Sequence, residues 1–344
     1  MLTYSKPNSL KQGDTVGIFT PSHPAYVFCE EKFLLGIKVI EQLGFKVKLG
    51  TLTDKRATEG YRSGTGMARA EEFMSLYKDP KVTCLIATLG GMNSNSMIPY
   101  LDFDYIKNNP KIVCGYSDVT SLHLALLHYS KLRTFYGPAL MSWFSEFPKG
   151  EAETIESFLK AVSENTLVPR FIKPFKQWSK HFRDWGNGNW KNTDREWIKN
   201  DGWKVLTEGE VVGNIIICNL STLMSAAGTP YFPNLEGKIL LIEEMSAPYS
   251  KEERSFVQLK LMGVFDIISG LIIGKTEMPN SEAAPFDMNE LLLEIVGERS
   301  YPIVSEFDLS HTCPMHTISQ LTKVRLCALG NYDVRFEILE RMVN

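Results

Sequence analysis

Two glycine-bearing turns, one histidine loop and one pair of acids are the residues of this 344-residue chain whose types and spacing could do chemistry together. Gly115-Tyr116-Ser117-Asp118 follows an apolar run and precedes a helical pattern. A serine at a sharp strand-to-helix turn projects its hydroxyl out of the sheet. The next amide, that of Asp118, then lies at a helix N-terminus, where it can receive an oxyanion. Ser and Asp are also good N-caps, and the second glycine of a full G-x-S-x-G elbow is absent, so capping is the competing reading. Leu89-Gly90-Gly91-Met92-Asn93 ends the preceding apolar run. Paired glycines let backbone N–H groups approach a ligand closely, which makes Gly91 a candidate second oxyanion donor. An ordinary tight turn is the alternative there.

A serine nucleophile needs a base. Of the six histidines, His123 and His128 fall on the helix after Ser117 and away from its N-terminus. His311 sits in Asp308-Leu309-Ser310-His311-Thr312-Cys313-Pro314, a polar turn after an apolar run and a setting suited to a base that reaches into a cleft. A base in turn needs an orienting carboxylate. Glu243 and Glu244 end the apolar run 238–242. Period-two alternation puts them on opposite faces, so at most one faces a cleft, and either would be costly if buried unpaired. Ser, Glu and His in that chain order fit a triad, which is recognised by roles rather than by sequence position.

The elements that must hold these residues alternate over the first part of the chain. Runs 15–20, 45–49, 81–88 and 111–114 read as strands; 30–43, stopped by Gly44, 67–77 and 119–129 read as helices. Such alternation implies a mainly parallel, Rossmann-like sheet in an N-terminal α/β domain, residues 1–165, with ligands at the strand carboxyl ends, where both glycine turns lie. Residues 166–208 hold five of the six tryptophans without clean periodicity and read as a linker and substrate loop. Runs 211–218, 238–242, 267–273 and 324–328, with a helix over 251–261, predict a C-terminal α+β domain of short strands, 209–344, carrying the Glu and His.

Composition excludes several classes. With 44% hydrophobic residues, 22% charged residues and a net charge of -3, the chain has the balance of a soluble protein and no electrostatic footprint for a nucleic acid polymer. The N-terminus lacks signal-peptide features and no apolar run could cross a bilayer, so a cytoplasmic protein that does not engage membranes is expected. The six cysteines are scattered without a C-x-x-C pair, which predicts no disulfide framework and no metal site; no cofactor is expected.

A longer series of motifs runs through the chain in order. It includes Gly13-Asp14, Pro21-Ser22, Gly90-Gly91-Met92-Asn93-Ser94-Asn95, Pro99-Tyr100-Leu101-Asp102, Gly115-Tyr116-Ser117-Asp118-Val119-Thr120 and Tyr136-Gly137-Pro138-Ala139. It continues with Asn219-Leu220-Ser221-Thr222-Leu223, Ile242-Glu243-Glu244 and Ser310-His311-Thr312. In these the chain resembles the serine LD-carboxypeptidases, and within them the microcin C immunity type. The resemblance implies Ser117 as nucleophile, Glu243 and His311 as its partners, an oxyanion hole from the Gly91 and Asp118 amides, a homodimer and no metal. It implies either hydrolysis of an aminoacyl-nucleotide mimic or release of D-alanine from a murein tetrapeptide. The Trp-rich segment resembles the base-stacking loop of the immunity type, with Trp185 as the stacking residue and Met92 and Asn93 as further substrate contacts. A two-lobed small-molecule binding protein without catalysis is the alternative from another class. The chain departs from the family pattern at Ile217-Cys218, where two glycines are common, and at Met245-Ser246-Ala247-Pro248 after the acid pair.

Overall fold

The computed structural model describes residues 3–54, 58–181 and 183–344. Two sheets organise the chain. In the first, five strands pair in parallel in the spatial order Phe135–Tyr136, Ile112–Gly115, Val82–Ala87, Thr15–Phe19, Lys46–Leu49. A sixth, Ile318–Ser319, comes from the far end of the chain and adds antiparallel to Phe135–Tyr136. Val82–Ala87 reads Val-Thr-Cys-Leu-Ile-Ala and is buried almost throughout. A near-continuous apolar run is what a strand covered on both faces requires. The helix Gly66–Lys78 starts where the Thr65 side chain accepts from the Ala68 N–H at 3.2 Å.

The second sheet has eight strands. Gly209–Asn219, Ile239–Glu243, Gly270–Gly274 and Ile303–Phe307 form a parallel centre. Lys323–Leu329, Asp333–Ile338 and Arg170–Ile172 extend one side antiparallel, and Lys204–Thr207 closes the other. The run 267–273, expected as one strand, divides into a short helix, Val264–Ile267, and the strand Gly270–Gly274. Ser269 N donates to Lys238 O between them. A hairpin of Gln177–Trp178 with Ile198–Lys199 carries the ends of the Trp-rich segment.

The two sheets share a core. Ile86, Cys114 and Tyr136 of the first lie in one apolar cluster with Ile215, Leu241 and Ile272 of the second. Leu124 and Leu127 of the helix Thr120–Tyr129 pack instead with Ile216, Leu240 and Ile242. The strand ends that carry Ser117 and Glu243 are thereby held against each other by apolar burial on both sides.

Candidate active site

Ser117 stands two residues past the end of the strand Ile112–Gly115, with φ of 62°. A non-glycine residue in that region is strained, and strain of this kind aims a side chain out of a tight turn. Two glycines make room around it. A Cβ on Gly115 would lie 3.0 Å from the Val119 methyls, and one on Gly90 would lie 3.1 Å from both Cβ and Oγ of Ser117. Gly91 follows at φ of 150°, and its N–H has no intramolecular acceptor among the described residues. The Asp118 carboxylate accepts from the N–H groups of Asn93 and Ser94, so the turn of Ser117 and the glycine turn are fixed to each other.

Glu243 ends its strand fully buried. Its Oε2 lies 2.6 Å from His311 Nδ1, and its Oε1 accepts from Tyr136 Oη at 2.5 Å and from Asn219 Nδ2 at 3.2 Å. Glu244, just past the strand, accepts from the Ser221 hydroxyl and N–H and shares Asn219 Nδ2 with Glu243, at 3.2 Å to each. Gly274 lets the histidine loop lie on this strand end, since a Cβ there would come 2.7 Å from Leu309 O and 2.9 Å from Glu243 Cβ. Burial acts against the imidazolium of His311, but Glu243, then Glu277 and Glu244, outweigh it and hold the group above its ordinary value. The Tyr116 ring packs edge-on to the imidazole with centroids 4.7 Å apart.

Ser117, His311 and Gly91 line one cavity of about 350 Å³. Trp185, Arg195 and Glu277 line it too. Ser117 Oγ and His311 Nε2 have no hydrogen-bond partner among the described residues. Met92 is 90% exposed, and Asn93 is turned to Arg69 and Ser22; neither lines the cavity. Burial drives the Glu277 carboxyl up to about 7, against the pull of His311 and Arg195.

The histidine loop is anchored from below. Asp308, wholly buried, pairs with Lys275 at 2.6 Å and accepts from Trp203 Nε1 at 2.9 Å and from the Phe175 N–H at 3.2 Å. Beside His311, Cys313 and Ser179 exchange two backbone hydrogen bonds, 2.8 and 3.1 Å, that tie the loop to the Trp-rich segment.

Comparison with known proteins decides the family. Residues 16–137 match the model of the LD-carboxypeptidase N-terminal domain and residues 212–326 that of the LD-carboxypeptidase C-terminal domain. The chain is 39% identical to the microcin C7 self-immunity protein MccF of Escherichia coli over 311 residues, 90% of this chain and 89% of MccF. The chain belongs to the LD-carboxypeptidase family.

Solved MccF structures superpose on this family member with a TM-score of 0.91 at 35% identity, covering 98% of this chain and 99% of MccF. An MccF-like protein of Bacillus anthracis gives 0.84 at 30% identity, covering 97% and 98% of the two chains. MccF itself has been solved with aspartyl sulfamoyl adenosine and with glutamyl sulfamoyl guanosine. The expected α/β fold and the family resemblance are thus both found. No described helix is long and apolar enough to cross a membrane, and no described group of three His, Cys, Asp or Glu could hold a metal ion. Sequence reasoning missed the linking role of Tyr136, the pocket carboxyl Glu277 and the cations Lys32, Arg183 and Arg195. Tyr136 had a signal in its Tyr-Gly-Pro-Ala motif, and Arg183 and Arg195 lie in the Trp-rich segment read as a substrate loop; Lys32 and Glu277 come from segments without one.

Proposed function

We propose that the protein is a serine amidohydrolase of the MccF-like type that cleaves the bond joining an aminoacyl group to a nucleotide-like amide or phosphoramidate, and so detoxifies aminoacyl-adenylate mimics. The observation that carries this reading is the 2.6 Å Glu243–His311 pair in the same cavity wall as Ser117 at positive φ, with Trp185 on that cavity. Ser117 Oγ attacks the acyl carbonyl while its proton passes to His311 Nε2. Glu243 holds the Nδ1–H tautomer and stabilises the imidazolium. The Gly91 and Asp118 N–H groups receive the oxyanion. Collapse expels the nitrogen leaving group, which takes the proton from His311, and water then cleaves the Ser117 ester by the reverse path. Trp185 offers an aromatic face to a nucleobase, a contact that tolerates any base. A cytoplasmic homodimer, with an N-terminal lobe supplying Ser117 and a C-terminal lobe supplying Glu243 and His311, belongs to the same proposal.

Mass spectrometry of products from an aminoacyl sulfamoyl adenosine and from a murein tetrapeptide ending in D-alanine tests it, with Ser117→Ala as control. Cleavage of the nucleoside compound by the wild type alone is expected. Release of D-alanine in its place would make the protein a murein LD-carboxypeptidase. Turnover by Ser117→Ala would remove the nucleophile.

A further inference from the structure

Five cations are buried among the described residues, and they divide into two kinds. Arg69 donates to the carbonyls of Gly64, Pro21 and Asn93 and to the Asn93 and Ser96 side chains. Arg133 bonds Gln320 O and Glu340, and Lys275 pairs with Asp308. These three are satisfied, as buried charge must be. Lys32 and Arg183 are satisfied only in part. Lys32 is 1% exposed and has no carboxylate partner among the described residues; its Nζ makes one hydrogen bond, to Ser145 O at 2.9 Å, and leaves two N–H donors over. Arg183 shares one carboxylate, Glu146, with Arg195, which holds it in a bidentate grip at 3.0 and 3.1 Å. Arg183 Nη1 donates to Thr193 O at 2.9 Å, and its Nε has no acceptor among the described residues.

All three cations line the cavity that holds Ser117 and His311, and the buried Glu146 lies between Arg183 and Arg195. Asp184, also on the cavity, is exposed and accepts from the Gly186 N–H. Glu277 lines the cavity as well, so three carboxylates face three cations, but among the described residues none of the three carboxylates pairs with Lys32. Lys32 Nζ also lies 4.8 Å from the ring centre of Trp185 and 5.1 Å from that of Trp190. Aromatic faces attract a cation without neutralising it.

We infer that Lys32, Arg183 and Arg195 form an oxyanion subsite beside Trp185, which receives the phosphoryl or sulfamoyl group of the substrate's leaving portion. The inference rests on the nucleotide reading above and names the residues that read its charged linker. The ligand supplies the negative charge that Lys32 lacks, and the unused donors of Lys32 and Arg183 supply its hydrogen bonds. Burial, then the guanidinium groups of Arg183 and Arg195, push the Lys32 ammonium down to about 7. Cys29 and Cys313 oppose this weakly, and burial holds the Cys313 thiol in its neutral form. An arriving anion restores the proton, so anion binding carries proton uptake.

Equilibrium binding of AMP and of adenosine to the wild-type protein and to Lys32→Met tests the subsite. Between pH 7 and 9 AMP keeps a nearly constant charge, its phosphate titrating at about 6. The wild type is expected to bind AMP about tenfold or more tighter than adenosine at pH 7, with the preference shrinking by about tenfold toward pH 9. Lys32→Met is expected to lose both the preference and its pH dependence while still binding adenosine. Equal wild-type affinity for AMP and adenosine would overturn the subsite and leave the hydrolase reading standing. A Lys32→Met protein that kept the preference would overturn it too. Binding of neither compound would remove the subsite together with the nucleotide part of the proposed function, whereas the murein assay tests the hydrolase itself. Should Lys32→Met fail to fold, Lys32→Arg decides: it is expected to keep the preference without its pH dependence, and a preference that still shrank toward pH 9 would assign the titration to Glu277 on the same cavity and overturn the role of Lys32.

Discussion

The Tyr136 hydroxyl donates to Glu243 Oε1 at 2.5 Å and accepts from the backbone N–H of Ser117 at 3.1 Å. One phenol thus spans the turn that aims the serine and the carboxylate behind His311. Burial, with Glu243 beside it, raises the phenol well above its usual range, so it serves as a fixed donor. Tyr136→Phe removes a charge-assisted bond worth about 1.5–3 kcal/mol. If Glu243 works harder in the transition state than in the ground state, kcat falls about 10- to 100-fold with KM little changed. Steady-state kinetics read this directly; an unaltered kcat would reduce Tyr136 to packing.

Gly90 is the second place where a small change reaches the serine. An alanine methyl there would press on Ser117 Cβ and Oγ at 3.1 Å, tighter than ordinary contact. Because a displacement near 1 Å can cost about 100-fold in rate, Gly90→Ala is expected to slow labelling of Ser117 by a fluorophosphonate at least tenfold. Its thermal midpoint should stay close to that of the wild type. Wild-type labelling kinetics would contradict the placement of the nucleophile.

The pH profile follows from the two acids around the imidazole. His311 sits above its ordinary 6.5, so its imidazole is protonated at neutral pH more than a free histidine would be. The acid limb of kcat/KM is therefore expected to inflect above 6.5. Glu277 is one of the groups that hold it there, and Glu277→Gln should move the inflection to lower pH. A limb that stayed in place would show that Glu277 does not act on His311.

Away from the cavity, Glu252 offers a test in stability. Its carboxyl is buried, faces Glu244, and is driven from 4.5 up to about 8 by burial first and by Glu244 second. The folded state then keeps a proton that the unfolded chain releases above about 4.5, so stability declines as pH climbs from there through about 8. Glu252→Gln removes that decline. A gain of about 2–4 °C in the melting midpoint at pH 8.5, with little change at pH 4.5, is expected from thermal unfolding. Equal shifts at both pH values would point to packing instead.

Much of the frame was legible because it rests on local periodicity. The strand expected over 81–88 is Val82–Ala87, and the helix expected over 119–129 is Thr120–Tyr129. Of the acid pair only Glu243 meets His311, while Glu244, past the strand end, takes Ser221; the opposite faces expected of them are not found, since both reach Asn219 Nδ2. What escaped depends on distant partners. Lys204–Thr207 is a strand because Ile303–Phe307 offers it an edge, and Ile318–Ser319 crosses to the first sheet to pair with Phe135–Tyr136. Lys32 reads as a solvent-facing helix lysine until Trp185 and Trp190, some 150 residues on, close over it. No pattern within a short window encodes such meetings.

The paired backbone bonds between Ser179 and Cys313 bear on how this molecule can be remade. The segment that bears Trp185 and the loop that bears His311 are stitched by main chain, so neither is a separable cassette. Transplanting a relative's 173–200 stretch to alter which leaving group is accepted would also have to reproduce the hydrogen-bonding edge that Cys313 meets. A graft that lacked it would loosen the imidazole along with the tryptophan, and selectivity and rate would be lost together. Diversification of this segment is therefore expected to proceed by side-chain exchange at constant length near Ser179, with insertions confined to the stretch around Gly186 and Gly188 farther from the seam.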